Sequence, residues 1–283
     1  MKIIKTIKQM QKHADQLRKK GDSIGFVPTM GFLHEGHLSL MRKAREESDT
    51  LVVSIFVNPT QFGPGEDLED YPRDLDKDSE LCREVGTDIL FFPSVEEMYP
   101  ENFRTIVDVS GLTQVLCGRS RPTHFQGVTT VVAKLFAIVK PHRAYFGLKD
   151  YQQYRVISCM AEDLDMDLEV IGLPTVREPD GLAMSSRNKY LSDEERKSAL
   201  SLSRSLAAAD RMVREGITEV KEIETGVREI IESESHTRID YVEVVDPEEL
   251  THLDRINGRA LLALAVHVGQ ARLIDNTLIG MHT

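Results

Sequence analysis

Residues 28–37 place a tight turn between a stretch typical of a buried strand and a stretch typical of an amphipathic helix. Residues 23–27 are largely apolar, and helical spacing of apolar residues runs from Leu38 through Ala44. A strand that turns directly into a helix leaves the first helical N–H groups without partners, at the positive end of the helix dipole. The segment therefore predicts an α/β protein with a phosphate site at this turn.

Two histidines lie within this turn, three residues apart. If the helix starts between Gly31 and His34, then His34 and His37 share one face and can both donate hydrogen bonds to one polyphosphate. A zinc-protease helix has its histidines four apart, so the spacing argues against that site. A helix cap with solvent-facing histidines is the alternative for an isolated HxxH, and the rest of the chain decides against it.

Composition narrows the class of protein. The chain has 283 residues, with 35 Lys and Arg against 46 Asp and Glu, for a net charge of −11. No overall positive field attracts nucleic acid, so an anionic substrate needs a local cluster of cations. The three cysteines lack metal-site or disulfide spacing, and no apolar run reaches membrane-span length. We expect a soluble, cytoplasmic protein with no membrane or nucleic-acid partner.

Strand and helix patterns alternate through the first half of the chain. Strands are predicted at residues 51–57, 89–92, 144–146 and 168–173, and helices at 75–85, 128–139 and 150–164. This alternation of strands and helices indicates a Rossmann-like, doubly wound parallel sheet. We interpret residues 1–175 as the first domain.

The pattern changes after Pro174. Helices are predicted at residues 192–215 and 218–234, followed by strands at 239–245 and 260–268 that alternate as in an antiparallel sheet. We interpret residues 176–283 as a smaller C-terminal α+β domain.

Polar residues follow the predicted strands, where ligands bind in open α/β sheets. The segments are 58–63 with Asn58 and Gln61, 119–127 with two arginines and His124, 144–150 with Gly147 and Lys149, and 184–188 with two serines and an arginine. Each segment alone is weak evidence for a site.

Six motifs together give a stronger indication. They are PTMGFLHEGH at 28–37, FVNPTQF at 56–62, YPR at 71–73, RPTHFQGV at 121–128, FGLKDYQQ at 146–153 and MSSRN at 184–188. In this order and over nearly the whole chain, they resemble the pantothenate synthetase (pantoate–β-alanine ligase) family. That family belongs to the nucleotidyltransferases with a HIGH-like motif. Phe32 stands where a smaller residue is expected.

The resemblance implies a two-step ligase reaction. Pantoate attacks the α-phosphorus of ATP to give pantoyl adenylate and pyrophosphate, and β-alanine then displaces AMP to form pantothenate. It further implies Mg²⁺ bound with ATP, a homodimer, and a nucleotide- and pantoate-binding first domain with the C-terminal domain as its lid.

The resemblance also implies roles for individual residues. The residues expected to stabilise the charge that develops in adenylation are His34, His37, Lys149, Ser185, Ser186 and Arg187. The residues expected to bind ATP are Met30, Gly31, His34, His37, Gly147, Leu148, Lys149, Asp150, Val176, Met184, Ser185, Ser186 and Arg187. The residues expected to bind pantoate and β-alanine are Gln61, Gln153, Asn58, Arg121 and His124. The family has an acidic residue near positions 77 and 78 at the metal, so Asp78 is the candidate for an indirect contact.

Two other functional classes stay open. A different nucleotidyltransferase would act on a phosphorylated acceptor and would need more cations than the neutral Gln61 and Gln153 supply. A non-enzymatic nucleotide- or metal-binding module would bind ATP or zinc without turnover that depends on a carboxylic acid.

Overall fold

The computed structural model describes residues 1–280, and the chain forms two compact units. Unit 1 comprises Met1–Thr113, Arg121–Leu148 and Gln153–Pro174. Unit 2 comprises Gln114–Ser120, Lys149–Gln152 and the chain from Thr175 onward. Two short segments from the middle of the sequence therefore pack with the C-terminal part.

Unit 1 is built on a parallel sheet of six strands. The strands are β1 Lys2–Ile4, β2 Ile24–Thr29, β3 Thr50–Ile55, β4 Ile89–Phe91, β5 Arg143–Gly147 and β6 Glu169–Leu173, in the spatial order β1-β4-β3-β2-β5-β6. The order reverses direction beside β2, as a doubly wound sheet requires. The predicted Rossmann-like fold class is confirmed, whereas β1 was not predicted because three residues carry too little periodicity.

Helices connect and flank the strands. Within residues 1–280 they are α1 Ile7–Lys20, α2 Glu35–Glu46, α3 Leu75–Glu84, α4 Val95–Met98, α5 Cys117–Ser120, α6 His124–Val139, α7 Tyr151–Asp163, α8 Asp193–Arg214 and α9 Val220–Glu232. Helix α6 begins four residues before the prediction, so His124 lies in its first turn. None of the helices in this range is long and apolar enough to cross a membrane.

One core layer of unit 1 lies between the sheet and α2. Val27 and Val53 on the neighbouring strands β2 and β3 are fully buried against Met41 and Ala44 of α2. Strands buried on both faces read as continuous apolar runs, which is why β2 and β3 were visible in the sequence.

Unit 2 contains an antiparallel sheet of three strands, β7 Thr237–Val245, β8 Ala260–Val268 and β9 Ala271–Ile279, in that order. Its core is formed with α8 and α9, and α8 starts with a capping box between Ser192 and Glu195. Strand β9 was not predicted. It contains the polar pair Asp275 and Asn276, which breaks the apolar pattern of a strand.

Candidate active site

Three predicted segments begin at the carboxyl ends of neighbouring strands. Strand β2 pairs with β3 on one side and with β5 on the other, all in parallel. The segments that follow β2, β3 and β5 are the histidine turn, the 58–63 loop and Leu148. The carboxyl edge of an open α/β sheet is where ligands bind, and ligand binding by these segments stays a prediction.

The turn after β2 is held in an unusual backbone conformation by Asp78. Gly31 and Phe32 both have left-handed φ angles, 83° and 52°. The buried Asp78 carboxylate on α3 accepts hydrogen bonds from the backbone N–H groups of Phe32 and Leu33, each at 2.8 Å. A side chain at Gly31 would put its Cβ 2.9 Å from Asp78 Oδ2. Asp78 therefore fixes the turn, and glycine is required at position 31.

The environment of Asp78 has opposing effects on its ionisation. Burial raises the pKa of the Asp78 carboxyl, and the hydrogen bonds from Leu33 and Phe32 act in the opposite direction. Phe32 is the residue for which the sequence analysis expects a smaller side chain. A left-handed conformation costs a residue with a β-carbon roughly 1–2 kcal/mol, and the two hydrogen bonds to Asp78 help to offset that cost.

His34 and His37 form the N-terminal cap of α2. The helix begins at Glu35 with His34 as its N-cap, and both imidazole rings accept backbone hydrogen bonds in this cap. His34 Nδ1 accepts from Gly36 N at 3.2 Å, and His37 Nδ1 accepts from His34 N at 3.3 Å. Because Nδ1 accepts in both rings, the proton of each neutral imidazole is on Nε2.

The cap interpretation and the phosphate interpretation are thus compatible. The two imidazole rings are half-buried, and their centroids are 4.1 Å apart. They do not merely face solvent. Two Nε2–H donors are held close together at the positive end of α2, which is an arrangement suited to an anion.

The loop after β3 is organised around Asn58. Asn58 caps a 3₁₀ turn, Pro59–Gln61, and its side chain is almost fully buried. Its Nδ2 donates to Gln61 Oε1 and to the Gly127 carbonyl, each at 3.1 Å. Its Oδ1 accepts from the hydroxyl of Tyr99 at 2.9 Å. These contacts orient the Gln61 amide, with its oxygen toward Asn58 and its NH₂ group as the donor end.

Tyr99 is a site residue that the sequence analysis missed. It follows the short helix α4, outside every motif, and burial raises the pKa of its hydroxyl. The hydroxyl therefore stays protonated and donates to Asn58. No local pattern marks this contact, because the two residues are 41 positions apart.

Arg121 and His124 contact the backbone of Gln61. Arg121 Nη2 donates to the Gln61 carbonyl at 3.2 Å, and His124 Nδ1 lies 2.9 Å from the same oxygen. The Arg121 Nε also donates to Glu66 at 2.7 Å. Burial acts to raise the pKa of the Glu66 carboxyl. The hydrogen bond and the positive charge of Arg121 outweigh burial, together with the N–H of Gly63, so the Glu66 pKa lies below its ordinary value. Direct substrate contacts of Arg121 and His124 stay a prediction.

Gly127 allows α6 to approach this loop closely. A Cβ built at Gly127 would lie 2.5 Å from the Thr60 carbonyl carbon and 2.6 Å from Gln61 N. Both are backbone atoms, so no side-chain rotation could relieve the overlap. The glycine of the RPTHFQGV motif therefore serves packing against the turn that carries Gln61.

The segment after β5 turns through a 3₁₀ helix, Leu148–Asp150, and its last two residues belong to unit 2. Lys149 Nζ is 3.8 Å from Asp150 Oδ2, and the Lys149 side chain is 19% exposed. The Lys149 carbonyl accepts from Asn276 Nδ2 at 2.7 Å. Gln153, in the first turn of α7, is half-buried and belongs to unit 1.

The serine segment of unit 2 follows a hairpin. Met184 N donates to the Val176 carbonyl at 3.0 Å, so two predicted nucleotide contacts lie side by side. Ser185 caps the 3₁₀ helix Ser186–Tyr190, and its Oγ accepts from Arg187 N at 3.3 Å. Ser186 and Arg187 are half-buried. Ser185 uses a lone pair in this cap and keeps its O–H proton for donation.

Within residues 1–280, no group of three or more His, Cys, Asp or Glu side chains is arranged to hold a metal ion. Asp78 uses one lone pair on each carboxylate oxygen for the turn. A carboxylate offers about four lone-pair positions, so a water-mediated contact fits its remaining capacity.

The chain is similar to proteins of one family over its whole length. The family model Pantoate-beta-alanine ligase matches residues 2–278. The pantothenate synthetase of Pelotomaculum thermopropionicum is 59% identical over 280 residues, covering 99% of both chains. That of Thermotoga petrophila is 56% identical over 280 residues, covering 99% of this chain and 100% of the relative.

Solved structures agree with the sequence relatives. Pantothenate synthetase from Thermus thermophilus has a TM-score of 0.93 at 48% identity, covering 98% of this chain and 99% of that one. Pantoate-beta-alanine ligase from Francisella tularensis, solved in complex with beta-gamma ATP and beta-alanine, has a TM-score of 0.81 at 36% identity. It covers 98% of this chain and 97% of its own.

Proposed function

The chain belongs to the pantoate–β-alanine ligase family, whose known activity is ATP-dependent formation of pantothenate, and we propose how its residues divide that reaction. In the first step a carboxylate oxygen of pantoate bonds to the α-phosphorus of ATP as the bond to the β-phosphate oxygen breaks, releasing pyrophosphate. In the second step the β-alanine nitrogen bonds to the acyl carbon, the amine loses a proton, and AMP leaves.

His34 and His37 stabilise the phosphate charge that grows during the first step. The observation that carries this proposal is the cap itself, in which both Nδ1 atoms accept backbone hydrogen bonds and the Nε2–H side of each ring is thereby fixed in orientation. Donors that are fixed before the reaction need no reorganisation as charge develops. Lys149, Ser185, Ser186 and Arg187 supply the remaining donors and cations of the proposal.

Gly147 gives support to the ATP assignment. A Cβ at Gly147 would meet no described atom within 4 Å, and Gly147 is not among the residues with positive φ. Neither backbone conformation nor protein packing therefore requires glycine here, and the position after β5 leaves room for a nucleotide to approach the backbone closely. The other residues assigned to ATP are Met30, Gly31, Leu148, Asp150, Val176 and Met184.

Pantoate binding is assigned to Gln61 and Gln153, with Asn58 behind Gln61. Pantoate has hydroxyl groups and a carboxylate, which neutral amides recognise by directed hydrogen bonds. Asn58 supports this role because it orients the Gln61 amide. Arg121 and His124 serve the same substrate by holding the Gln61 carbonyl, and Gln61 also meets β-alanine in the second step.

Mg²⁺ accompanies ATP in this proposal. The ion prefers phosphate oxygens and keeps several waters, which reduces its need for protein ligands. Asp78 is the proposed indirect contact through water. We further propose that the enzyme is a cytoplasmic homodimer, an expectation taken from the family resemblance.

The test is exchange of labelled pyrophosphate into ATP, in the presence of Mg²⁺ and the absence of β-alanine. Exchange that requires pantoate supports carboxylate adenylation. Exchange without pantoate, or exchange driven only by a phosphorylated acceptor, would refute it. Replacing His37 by Ala should slow the pantoate-dependent exchange by roughly 10²-fold. A control replacement of the exposed His252 by Ala should leave it unchanged.

A further inference from the structure

Strand β9 supports two predicted ATP-binding segments of unit 2 through adjacent side chains. Asn276 Nδ2 donates to the Lys149 carbonyl at 2.7 Å. Because a carbonyl oxygen can only accept, the Asn276 amide nitrogen must face it. The backbone N–H of Asn276 in turn donates to Asp275 Oδ1 at 2.9 Å, so the Asp275 carboxylate and Asn276 belong to one network.

Asp275 forms the other arm of this network. Its carboxylate is 1% exposed and binds Arg177 through two hydrogen bonds, at 2.6 and 3.0 Å. Arg177 also donates to the Gly181 carbonyl at 3.2 Å and forms a bridge to Ala183. Arg177 thereby closes the hairpin that ends at Met184, immediately before the serine segment. Two-point contacts of this kind fix the orientation of a guanidinium group as well as its position.

A second ion network holds the same hairpin from α8. Arg196 donates to Glu178 at 2.6 Å and to Asp180 at 2.7 Å. Glu178 accepts from Asn188 Nδ2 at 2.7 Å, within the 3₁₀ turn that carries Ser186 and Arg187. The serine segment is therefore held at both of its ends. Lys149 instead lies in a three-residue 3₁₀ helix, a conformation that in general forms poorer hydrogen bonds than an α-helix.

We propose that Asn276 is a positioning residue for Lys149, and that Asp275 beside it makes β9 the common support of Lys149 and the hairpin before Ser185. The inference rests on the proposed role of Lys149 toward the ATP phosphates. A lysine is a point charge on a flexible stem, so its reach depends on where its backbone is held. Neither Asp275 nor Asn276 needs to touch a substrate in this arrangement.

The first experiment replaces Asn276 by Asp, which has the same shape but cannot donate to the Lys149 carbonyl. We expect pantoate-dependent pyrophosphate exchange to slow by roughly tenfold to 10²-fold, the scale of an ångström-sized displacement at a reacting centre. The KM for ATP should rise, while the KM for pantoate stays within about twofold of the wild-type value. Asn276→Ala is a second variant with the same expectation, in case the carboxylate disturbs folding.

A matched control is available at the next position of β9. Thr277→Val removes a hydroxyl whose contact is a 3.5 Å approach to the Leu278 carbonyl, and it should leave exchange unchanged. If both Asn276 variants exchange at the wild-type rate, or if the KM values for ATP and pantoate rise equally, the positioning role is wrong.

A double-mutant cycle with Lys149→Ala separates this inference from the function on which it rests. High enzyme concentrations and long exchange times keep rates slowed by roughly 10³-fold measurable. If Asn276 acts through Lys149, Asn276→Asp should cost less than about twofold once Lys149 is absent. Full additivity would show that Asn276 acts elsewhere and would overturn the proposal. Wild-type exchange in Lys149→Ala alone would instead refute the proposed role of Lys149.

A separate variant tests the contact between Asp275 and Arg177, which holds the hairpin before Ser185. Arg177→Lys keeps the positive charge beside Asp275 but loses the two-point contact. We expect the KM for ATP to rise and the KM for pantoate to stay unchanged, as for the Asn276 variants. An unchanged KM for ATP would remove the hairpin from the support that β9 provides.

Discussion

Replacing Gly127 by Ala tests how tightly the 58–63 loop, to which we assign pantoate binding, is packed against α6. The new methyl group would lie 2.5 Å from the Thr60 carbonyl carbon and 2.6 Å from Gln61 N. Ordinary contacts between such atoms begin near about 3.5 Å, so helix and turn must separate by about 1 Å. Asn58 would also be disturbed, because its side chain donates to the Gly127 carbonyl.

The magnitude has two opposing parts. Overpacking a tight contact costs about 1–3 kcal/mol, whereas Ala favours a helix over Gly by up to about 1 kcal/mol. We therefore expect a modest net destabilisation, on the order of 1–2 kcal/mol. The effect on activity should be larger, because a displacement of about 1 Å at a substrate-positioning residue can reduce the rate by about 10²-fold. That factor corresponds to about 2.7 kcal/mol of transition-state stabilisation.

The assay combines thermal unfolding with pantoate-dependent pyrophosphate exchange at varied pantoate and ATP. Gly127→Ala should raise the KM for pantoate and lower the rate, with a smaller change in the KM for ATP. Gly258→Ala is the matched control, since a Cβ there meets no described atom within 4 Å and Gly258 is not among the glycines with positive φ. Gln61→Ala provides the reference for complete loss of the Gln61 amide.

Wild-type unfolding and wild-type kinetics for both substrates in Gly127→Ala would refute the tight packing of α6 against the 58–63 loop. Equal changes for pantoate and ATP would instead show that the overlap disturbs the sheet edge as a whole. If Gln61→Ala itself binds pantoate normally, the substrate assignment of Gln61 fails, independently of the packing argument.

Four other substitutions test the site and its surroundings. Lys149→Ala should slow pantoate-dependent exchange by roughly 10²- to 10³-fold, with exposed Lys197→Ala as an unaffected control. Gln153→Ala should raise the KM for pantoate roughly tenfold while the KM for ATP stays within about twofold, as kinetics at varied substrate would measure. Gly147→Ala should fold normally and bind ATP at least roughly tenfold more weakly by calorimetry; unchanged affinity would remove the close-approach argument. Glu66→Gln should destabilise the protein by roughly 1–2 kcal/mol at pH 7, and this difference should close on acidification. The folded pKa of Glu66 lies below its ordinary value of 4.5, so its stabilisation is present above that value and is lost as the pH falls through the folded pKa; a gap independent of pH would contradict this origin.

Much of the fold could be predicted from local sequence patterns. Buried parallel strands appear as continuous apolar runs and helices as a period near 3.6, so β2, β3, α3 and α8 were found within a few residues of their ends. The strands that were not predicted are short or contain polar residues: β1 has three residues, and β9 includes Asp275 and Asn276. Helix α1 was missed because lysines interrupt its apolar positions.

In the candidate site, too, local features could be predicted from the sequence, whereas contacts between distant residues could not. The spacing of His34 and His37 after a strand indicated a phosphate site, because cap geometry depends on residues within one helical turn. The contact of Asp78 with Phe32 and Leu33 spans about 45 positions, and that of Asn276 with Lys149 spans 127. Periodicity carries no information over such separations.

The sequence by itself determined most of the element types, the polar residues after the strands and the family to which the chain belongs. Only the tertiary structure decided what holds those residues: Asn58 and Gly127 around Gln61, Asp78 behind the histidine turn, and β9 beneath Lys149. It also decided that residues 114–120 and 149–152 pack with the C-terminal unit. The physical reason is that patterns along a chain report local geometry, whereas a supporting contact depends on which distant surfaces the complete fold brings together.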